Sequence, residues 1–367
     1  MQLIKASRDA ILKPLSTCAN IVERRHTLPI LANVLLNKTK TGLNFLATDL
    51  EIQISAQTPS ESVDELSTTV AARKLLDIIK ALPEGHEVSL SLDEKRLIVQ
   101  SGKAKFTVQT LDASDFPAMV TAEAWQAQWD MPQKALKTLL NQVSFAMAQQ
   151  DIRYYLNGLL LVVEENTLRA VSTDGHRLAY CETKIDSNIS KQEIIIPRKT
   201  IMEIMRQLDD SEAIVSIKLN AQLIEFTYSG NTLLSKLIEG KFPDFNKVIP
   251  KAHPKSINLN RVHFQSALNK AAILTSDKFK GVKLAFEADK MIVSANNSDQ
   301  EEASDEMDIV YAHESMDIGF NVLYLQDVLS NLKNEEITIQ LNDTNASALI
   351  TVAGDETFKY VVMPMRI

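Results

Sequence analysis

Leu46-Ala47-Thr48-Asp49, Val171-Ser172-Thr173-Asp174 and Ser294-Ala295-Asn296-Asn297 read as three versions of one segment, a strand-like run ending in a small polar turn. The first two turns are 125 residues apart and the third follows 123 residues later. A helix-like run keeps the same step. Arg73-Lys74-Leu75-Leu76-Asp77-Ile78-Ile79, Arg198-Lys199-Thr200-Ile201-Met202-Glu203-Ile204 and Leu323-Tyr324-Leu325-Gln326-Asp327-Val328-Leu329 start 125 residues apart each time. An apolar residue followed by proline comes near the end of each copy, at Phe116-Pro117, Phe242-Pro243 and Met363-Pro364. A period this long exceeds any solenoid unit, so each copy is expected to be a domain with its own core. The expected domains are 1–124, 125–252 and 253–367, with boundaries near 121–129 and 250–254.

Within each copy the pattern predicts two half-units, each a strand, a helix and further strands. The first helices are expected over 7–26, 132–151 and 261–280, and the second to start at Arg73, Arg198 and Leu325. Leu136, Leu139, Leu140 and Val143 make an i, i+3, i+4, i+7 apolar stripe. Pro14 should delay or kink the first helix. Alternating runs around Val88, Leu90 and Leu92, then Leu97 and Val99, then Phe106 and Val108 read as strands, with Asp93-Glu94-Lys95 as a hairpin turn. The fold class is α+β, three tandem similar domains with antiparallel sheets covered by helices on one face.

The chain has 367 residues, 45% of them apolar and 23% charged, which is ordinary globular composition rather than disorder. No apolar run is long enough to predict a membrane span, and Met1-Gln2-Leu3-Ile4-Lys5 lacks the features of a secretory signal. Cys18 and Cys181 fall in different repeats without a CxxC pattern, which suits reduced thiols and a cytoplasmic protein.

A net charge of −8 argues at first against a nucleic-acid partner. Its distribution reverses that reading. The six helical stretches together carry +10, which leaves −18 for the rest of the chain. Basic helices on an otherwise acidic protein suggest one surface that faces phosphates while the remainder repels them. A repeat scaffold that binds only proteins would not need basic helices.

Several segments, taken together, resemble the bacterial DNA polymerase III β-subunit family, the sliding clamps. They are Arg24 with Thr27-Leu28-Pro29-Ile30-Leu31, the run from Gln150 to Gly158, Thr173-Asp174-Gly175-His176-Arg177-Leu178-Ala179, Ile196-Pro197-Arg198-Lys199, Lys241-Phe242-Pro243-Asp244, Ile318-Gly319-Phe320-Asn321 and Tyr360 to Arg366. The resemblance covers the whole chain. It implies a homodimer joined head to tail as a ring of six similar domains, helices lining the hole and sheets outside. The implied function is processivity: the ring encloses double-stranded DNA without sequence preference and holds the replicative polymerase on it. The implied partners are the polymerase α subunit, the clamp-loader complex, and other polymerases and repair proteins carrying short peptide motifs.

Residue chemistry and family position together give three candidate sites. For DNA, Arg24, Arg73, Arg198 and Lys199 offer cations to phosphates, and Gln150, Tyr154 and Tyr155 offer amide and phenol groups to backbone or exposed bases. For partner peptides, the resemblance implies a cleft whose first wall is Leu156, Thr173, Gly175, His176, Arg177 and Leu178. Pro243, Lys247 and Val248 follow, then Asn321, Tyr324 and Ser347, and the terminal Val361, Val362, Met363, Pro364, Met365, Arg366 and Ile367. Methionine and proline walls suit an adaptable groove. Lys247 stands where the family commonly has Arg, and Lys cannot reproduce a planar bidentate contact; Ile367 stands where Leu is common. For ring closure, Arg96, Lys103 and Lys105 around Phe106 and Val108 in the first repeat oppose in charge Asp299, Glu301, Glu302 and Asp305 in the third, as a heterologous interface requires. The resemblance adds Lys74, Ile273 and Leu274 to that interface.

Catalysis is not expected. Asp174-Gly175-His176 lacks a third partner for acid–base work, and the six histidines show no HxxxH or HExxH spacing. No phosphate-binding glycine motif occurs, so neither cofactor nor metal is expected.

Overall fold

The computed structural model describes residues 1–22, 28–61, 64–121, 124–251, 253–276 and 280–366. The repeated polar turn forms by the same chemistry in each copy. Asp49 Oδ1 accepts from the N–H groups of Glu51 and Ile52 at 2.9 and 2.8 Å. Asp174 Oδ1 does so for His176 and Arg177 at 2.9 and 3.1 Å. Asn297 Oδ1 accepts from Asp299 and Glu301, both at 3.0 Å. A short side-chain acceptor that binds backbone two to four residues on replaces the ladder just as the strand ends, which is why Asp or Asn stands there.

Six helices are present among the described residues: α1 Arg8–Ala19, α2 Ala72–Ala81, α3 Gln133–Ser144, α4 Arg198–Gln207, α5 Arg261–Ala272 and α6 Val322–Asn331. The first helix of each copy is shorter than the sequence pattern predicts, and α6 starts three residues early because Asn321 caps it by accepting from Leu323 N–H at 2.9 Å. Pro14 does not delay α1, which starts at Arg8 and runs through it to Ala19. The proline nitrogen has no hydrogen for the Ala10 carbonyl, and the Thr58 hydroxyl donates there instead at 2.6 Å. The predicted stripe Leu136, Leu139, Leu140 and Val143 is buried.

The first residue of the leading helix has one role in the first and third repeats and a different one in the middle repeat. Arg8 donates to the Ile79 and Lys80 carbonyls at the end of α2, both at 3.1 Å. Arg261 donates to the Leu329 and Asn334 carbonyls near the end of α6. Gln133 accepts from Asp209 N–H at 3.0 Å and donates to Ser229 Oγ at 3.1 Å. Cationic donors on the last carbonyls of a helix satisfy groups the helix cannot.

The described residues divide into two compact units, 1–134 with 206–237 and 135–205 with 238–367. The division cuts the middle repeat because sheets continue across repeats. In the first unit one antiparallel sheet runs from Gln2–Ser7 to Ala127–Pro132, and its seam is the pairing of Asn231–Ser235 with Ala56–Ile52. In the second unit a six-stranded sheet joins the long hairpin Gly158–Thr173 and Arg177–Pro197 to the last strand, Asp355–Val362, with Arg177 opposite Val362 and Cys181 opposite Phe358. A four-stranded sheet carries the acidic strand Glu302–Asp308 at its edge. The hairpin turn expected at 93–95 forms, with Asp93 opposite Arg96.

Candidate functional site

The turn after Thr173 builds the site. Gly175 sits at φ +91°, a region side chains disfavour, and a Cβ there would lie 2.8 Å from Arg153 Nη1. Arg153 occupies that space because Asp151 holds it through two charge-assisted bonds at 2.8 and 3.0 Å, and the Asp174 carbonyl accepts a third at 3.0 Å. The Arg153 bonds, side chain first and backbone second, lower the Asp151 pKa to about 2.

Arg177 fixes the turn from beneath. Its Nε donates to Asp174 Oδ2 at 3.1 Å, its Nη1 to Asp327 Oδ2 at 2.5 Å and its Nη2 to the Phe145 carbonyl at 2.7 Å. The guanidinium also lies over the Tyr324 ring at 4.4 Å. Burial alone would lower its pKa, but Tyr360 and the two carboxylates outweigh that and leave the net shift upward. One residue therefore joins the turn, the end of α3 and α6.

Beside this turn lies a cavity of about 210 Å³ lined by Arg153, Tyr155, Leu156, Thr173, Gly175, His176, Arg177, Leu178, Pro243, Val248, Val361 and Met363. Leu156, Leu178 and Val361 belong to the hydrophobic cluster under it, against which Tyr155 and Val248 pack. An apolar floor with arginines and backbone groups at the rim suits short apolar side chains on an extended chain. A larger hollow of about 800 Å³ occurs in the same unit, but its walls mix Asp355 and Glu356 with Lys251 and Lys359, chemistry less suited to apolar anchors.

Ten of the residues expected in the cleft line this cavity. The others fall around it. Val362 is buried in the ladder between Arg177 and Ala348. Met365 N–H donates to the Gly319 carbonyl at 2.9 Å, with Pro364 half-buried and Arg366 exposed. Asn321 uses its side chain as the α6 cap, Tyr324 lies under Arg177, and the Ser347 carbonyl pairs with His253 Nε2 at 2.9 Å. Lys247 is exposed and pairs with Asp244 at 3.5 Å. Val361, expected in the cleft as part of the terminal run, lines the cavity, whereas Arg153 was missed by sequence reasoning. Arg153 looked like one more solvated cation beside the two tyrosines, and the inward register of Val361 follows only from its pairing with Leu178.

Of the DNA candidates, Arg24 lies outside the described residues, as does Ile367. Arg73 is exposed on α2 and donates to the Val22 carbonyl at 2.9 Å. Lys199 is exposed at the start of α4, and the half-buried Arg198 donates to the Met147 carbonyl at 3.4 Å. Gln150 and Tyr154 are exposed, whereas Tyr155 turns inward to the cavity.

The two halves of the expected ring-closing interface lie in different units. Arg96, Lys103 and Lys105 are exposed, Phe106 is half-buried and Val108 is buried; Lys74 is exposed on α2. The strand Ala104–Leu111 pairs along Arg96–Ser101 but meets Leu66–Ala71 only at Thr110 and Leu111. Ile273 is 78% exposed and Leu274 half-buried at the end of α5. Asp299, Glu301 and Glu302 are exposed, and Asp305 is paired with Lys270 at 2.8 Å.

Among the described residues no cluster of three metal-ligating side chains occurs, and no helix is long and apolar enough to cross a membrane.

Three family models match in tandem: the DNA polymerase III beta subunit N-terminal domain over residues 1–120, its central domain over 130–244 and its C-terminal domain over 246–366. The chain is 44% identical to the beta sliding clamp of Pseudomonas putida over 362 residues, and 39% identical to that of Escherichia coli over 363, covering 98% of both chains each time. Among solved structures it resembles the DNA polymerase III subunit beta from Pseudomonas aeruginosa with a TM-score of 0.96 at 40% identity, and Caulobacter crescentus pol III beta with 0.94 at 34%, covering 100% of both chains. The tandem repeats, the antiparallel sheets and six helices, and this full-length similarity lead to one conclusion: the chain belongs to the DNA polymerase III β-subunit family, the beta sliding clamps.

Proposed function

We propose that this chain is the non-catalytic processivity subunit of a DNA polymerase III holoenzyme, a sliding clamp that works in the cytoplasm. Two copies close head to tail into a ring around duplex DNA and tether the polymerase to its template. The observation that carries this reading is the similarity to beta sliding clamps over 98% of both chains. In this reading three domains, 1–124, 125–252 and 253–367, turn their helices toward the DNA. Arg24, Arg73, Arg198 and Lys199, with Gln150, Tyr154 and Tyr155, make movable contacts to phosphates and bases without reading sequence. The basic strand Ala104–Leu111 of one copy meets the acidic edge strand Glu302–Asp308 of the next, with Phe106, Ile273 and Leu274 in the apolar centre. Glu302–Asp308 is an edge strand, and Ala104–Leu111 is open on one side before Thr110, so both have backbone groups that a partner strand can satisfy.

The apolar cavity beside Gly175 is the proposed docking point for the polymerase α subunit, the clamp loader and other partners carrying short peptide motifs. The test is retention: a clamp loaded on nicked circular DNA should stay and should leave after linearisation, while its solution mass is that of a dimer. Equal loss from both DNA forms overturns enclosure.

A further inference from the structure

Phe145 and Met147 follow directly on α3, and their carbonyls are held by two arginines from different elements. Arg177, in the cavity wall, donates to Phe145 O at 2.7 Å, and Arg198, at the start of α4, donates to Met147 O at 3.4 Å. Next along the chain, Ala148 N–H donates to the carbonyl of Leu156, also in the cavity wall, at 3.1 Å. Gln150 then takes a left-handed φ of +55°, uncommon for a residue with a Cβ. Asp151 and Asn157 close the segment by exchanging two bonds, Asp151 N–H to Asn157 Oδ1 at 2.9 Å and Asn157 Nδ2 to Asp151 O at 2.8 Å. The Asn157 carbonyl accepts from Arg198 N–H at 3.0 Å. Residues 145–151 do not line the cavity, but they form a floor bonded both to its wall residues Arg177 and Leu156 and to the cation proposed to meet phosphate.

The two arginines also repel across that floor. Burial, and after it the charge of Arg177, hold Arg198 below the usual arginine range. Arg177 cannot relieve the repulsion by swinging away, because Asp174, Asp327 and Tyr324 fix it on three sides.

We propose that a peptide in the cavity and a DNA phosphate at Arg198 bind with positive linkage through the floor 145–151, with Arg177 as the positioning residue. A phosphate at Arg198 offsets the charge that faces Arg177 and steadies the Met147 end of the floor. Less ordering is then left for the peptide to impose at the Leu156 end, and linkage makes the gain reciprocal. A partner would therefore hold a DNA-bound ring more tightly than a free one. This rests on the function proposed above.

The experiment uses the full chain, a fluorescent peptide carrying two leucines, and a short random-sequence duplex at low salt. Peptide affinity is measured by anisotropy with and without saturating duplex, and duplex affinity with and without saturating peptide. Each ligand should tighten the other by the same factor, about fivefold. In Arg177→Lys the charge remains but the planar group that spans Phe145 O and both carboxylates does not. Whatever the peptide's own affinity in that variant, the factor by which each ligand changes the other should fall to near one, and a factor that stays near five removes Arg177 from the linkage. Binding of both ligands to the unaltered chain with no mutual effect, or with mutual weakening, overturns the linkage and leaves the clamp reading standing. Failure of either ligand to bind overturns the site assignment and the linkage with it.

Discussion

The backbone N–H of Met363 donates to the carbonyl of His176 at 2.9 Å, so the last strand and the turn of the middle repeat form two walls of one cavity. Met363 is the third of the apolar residues that precede proline near the end of each repeat. Its counterparts Phe116 and Phe242 are buried, whereas Met363 is 45% exposed at the cavity mouth. Among the described residues, deleting Met363 to Ile367 removes two backbone bonds, to His176 and Gly319, which together contribute about 2 kcal/mol. The truncated chain should remain a folded dimer by sedimentation and lose polymerase stimulation in primer extension. Normal extension would remove the cavity from the mechanism.

Arg73 and Arg198 should contribute to DNA affinity as phosphate contacts. Replacing either with Ala should weaken binding equally across unrelated sequences and reduce the slope of log K against log salt by about one. A sequence-dependent loss, or an unchanged slope, would show that these side chains do not meet phosphates.

Much of this could be read from the sequence where local chemistry decides the outcome. Thr48-Asp49 and Thr173-Asp174 advertise their turns because a short acceptor can bond only to backbone close by. Leu136 to Val143 advertise a buried face through their spacing. What the sequence hides depends on partners far along the chain. Pro14 looks like a helix breaker until Thr58 is seen supplying the missing donor. Arg8 and Arg261 do the same work at equivalent positions, but each acts on carbonyls more than 65 residues away, so nothing local marks the pair. The middle repeat reads as one domain, yet its sheets continue into its neighbours through Asn231–Ser235 and Arg177–Cys181, pairings that no periodicity encodes. Arg177 was placed in the cleft wall by resemblance; that it also grips α6 through Asp327 came only from the structure.

Both cysteines should be inert in the native protein. Cys18 is fully buried and its Sγ donates to the Phe45 carbonyl at 3.2 Å. Burial first, then the charges of Asp355 and Glu182, push the Cys181 thiol up to about 12. Because the thiolate is the reactive form, raising pH from 7 to 9 should not expose a nucleophile at Cys181. A thiol-reactive chromophore should label neither residue until denaturant is added, and then both. Rapid native labelling would mean that the hairpin of the second unit opens readily.

The proposed ring closure makes a prediction that charge alone can test. Lys103 and Lys105 sit at the start of a strand that is open on one side before Thr110, and Glu301 and Glu302 sit at the start of the acidic edge strand. Reversing the first pair to Glu places like charges at the interface, and reversing the second pair to Lys does the same from the other side. Each double substitution should weaken the dimer roughly tenfold or more, about 1.4 kcal/mol, and the effect should shrink at high salt because these side chains are solvated. Combining all four in one chain restores opposite signs in a head-to-tail dimer, since each interface then pairs reversed acids with reversed bases. Sedimentation velocity over a dilution series should show the dimer dissociating at higher concentration for each half-reversal and at the original concentration for the combination. Surface substitutions at these exposed positions should leave the melting temperature of the monomer almost unchanged, which separates loss of association from loss of fold. A half-reversed chain whose dissociation does not shift would place the interface elsewhere, and failure of the combined variant to recover would show that these four charges do not face one another.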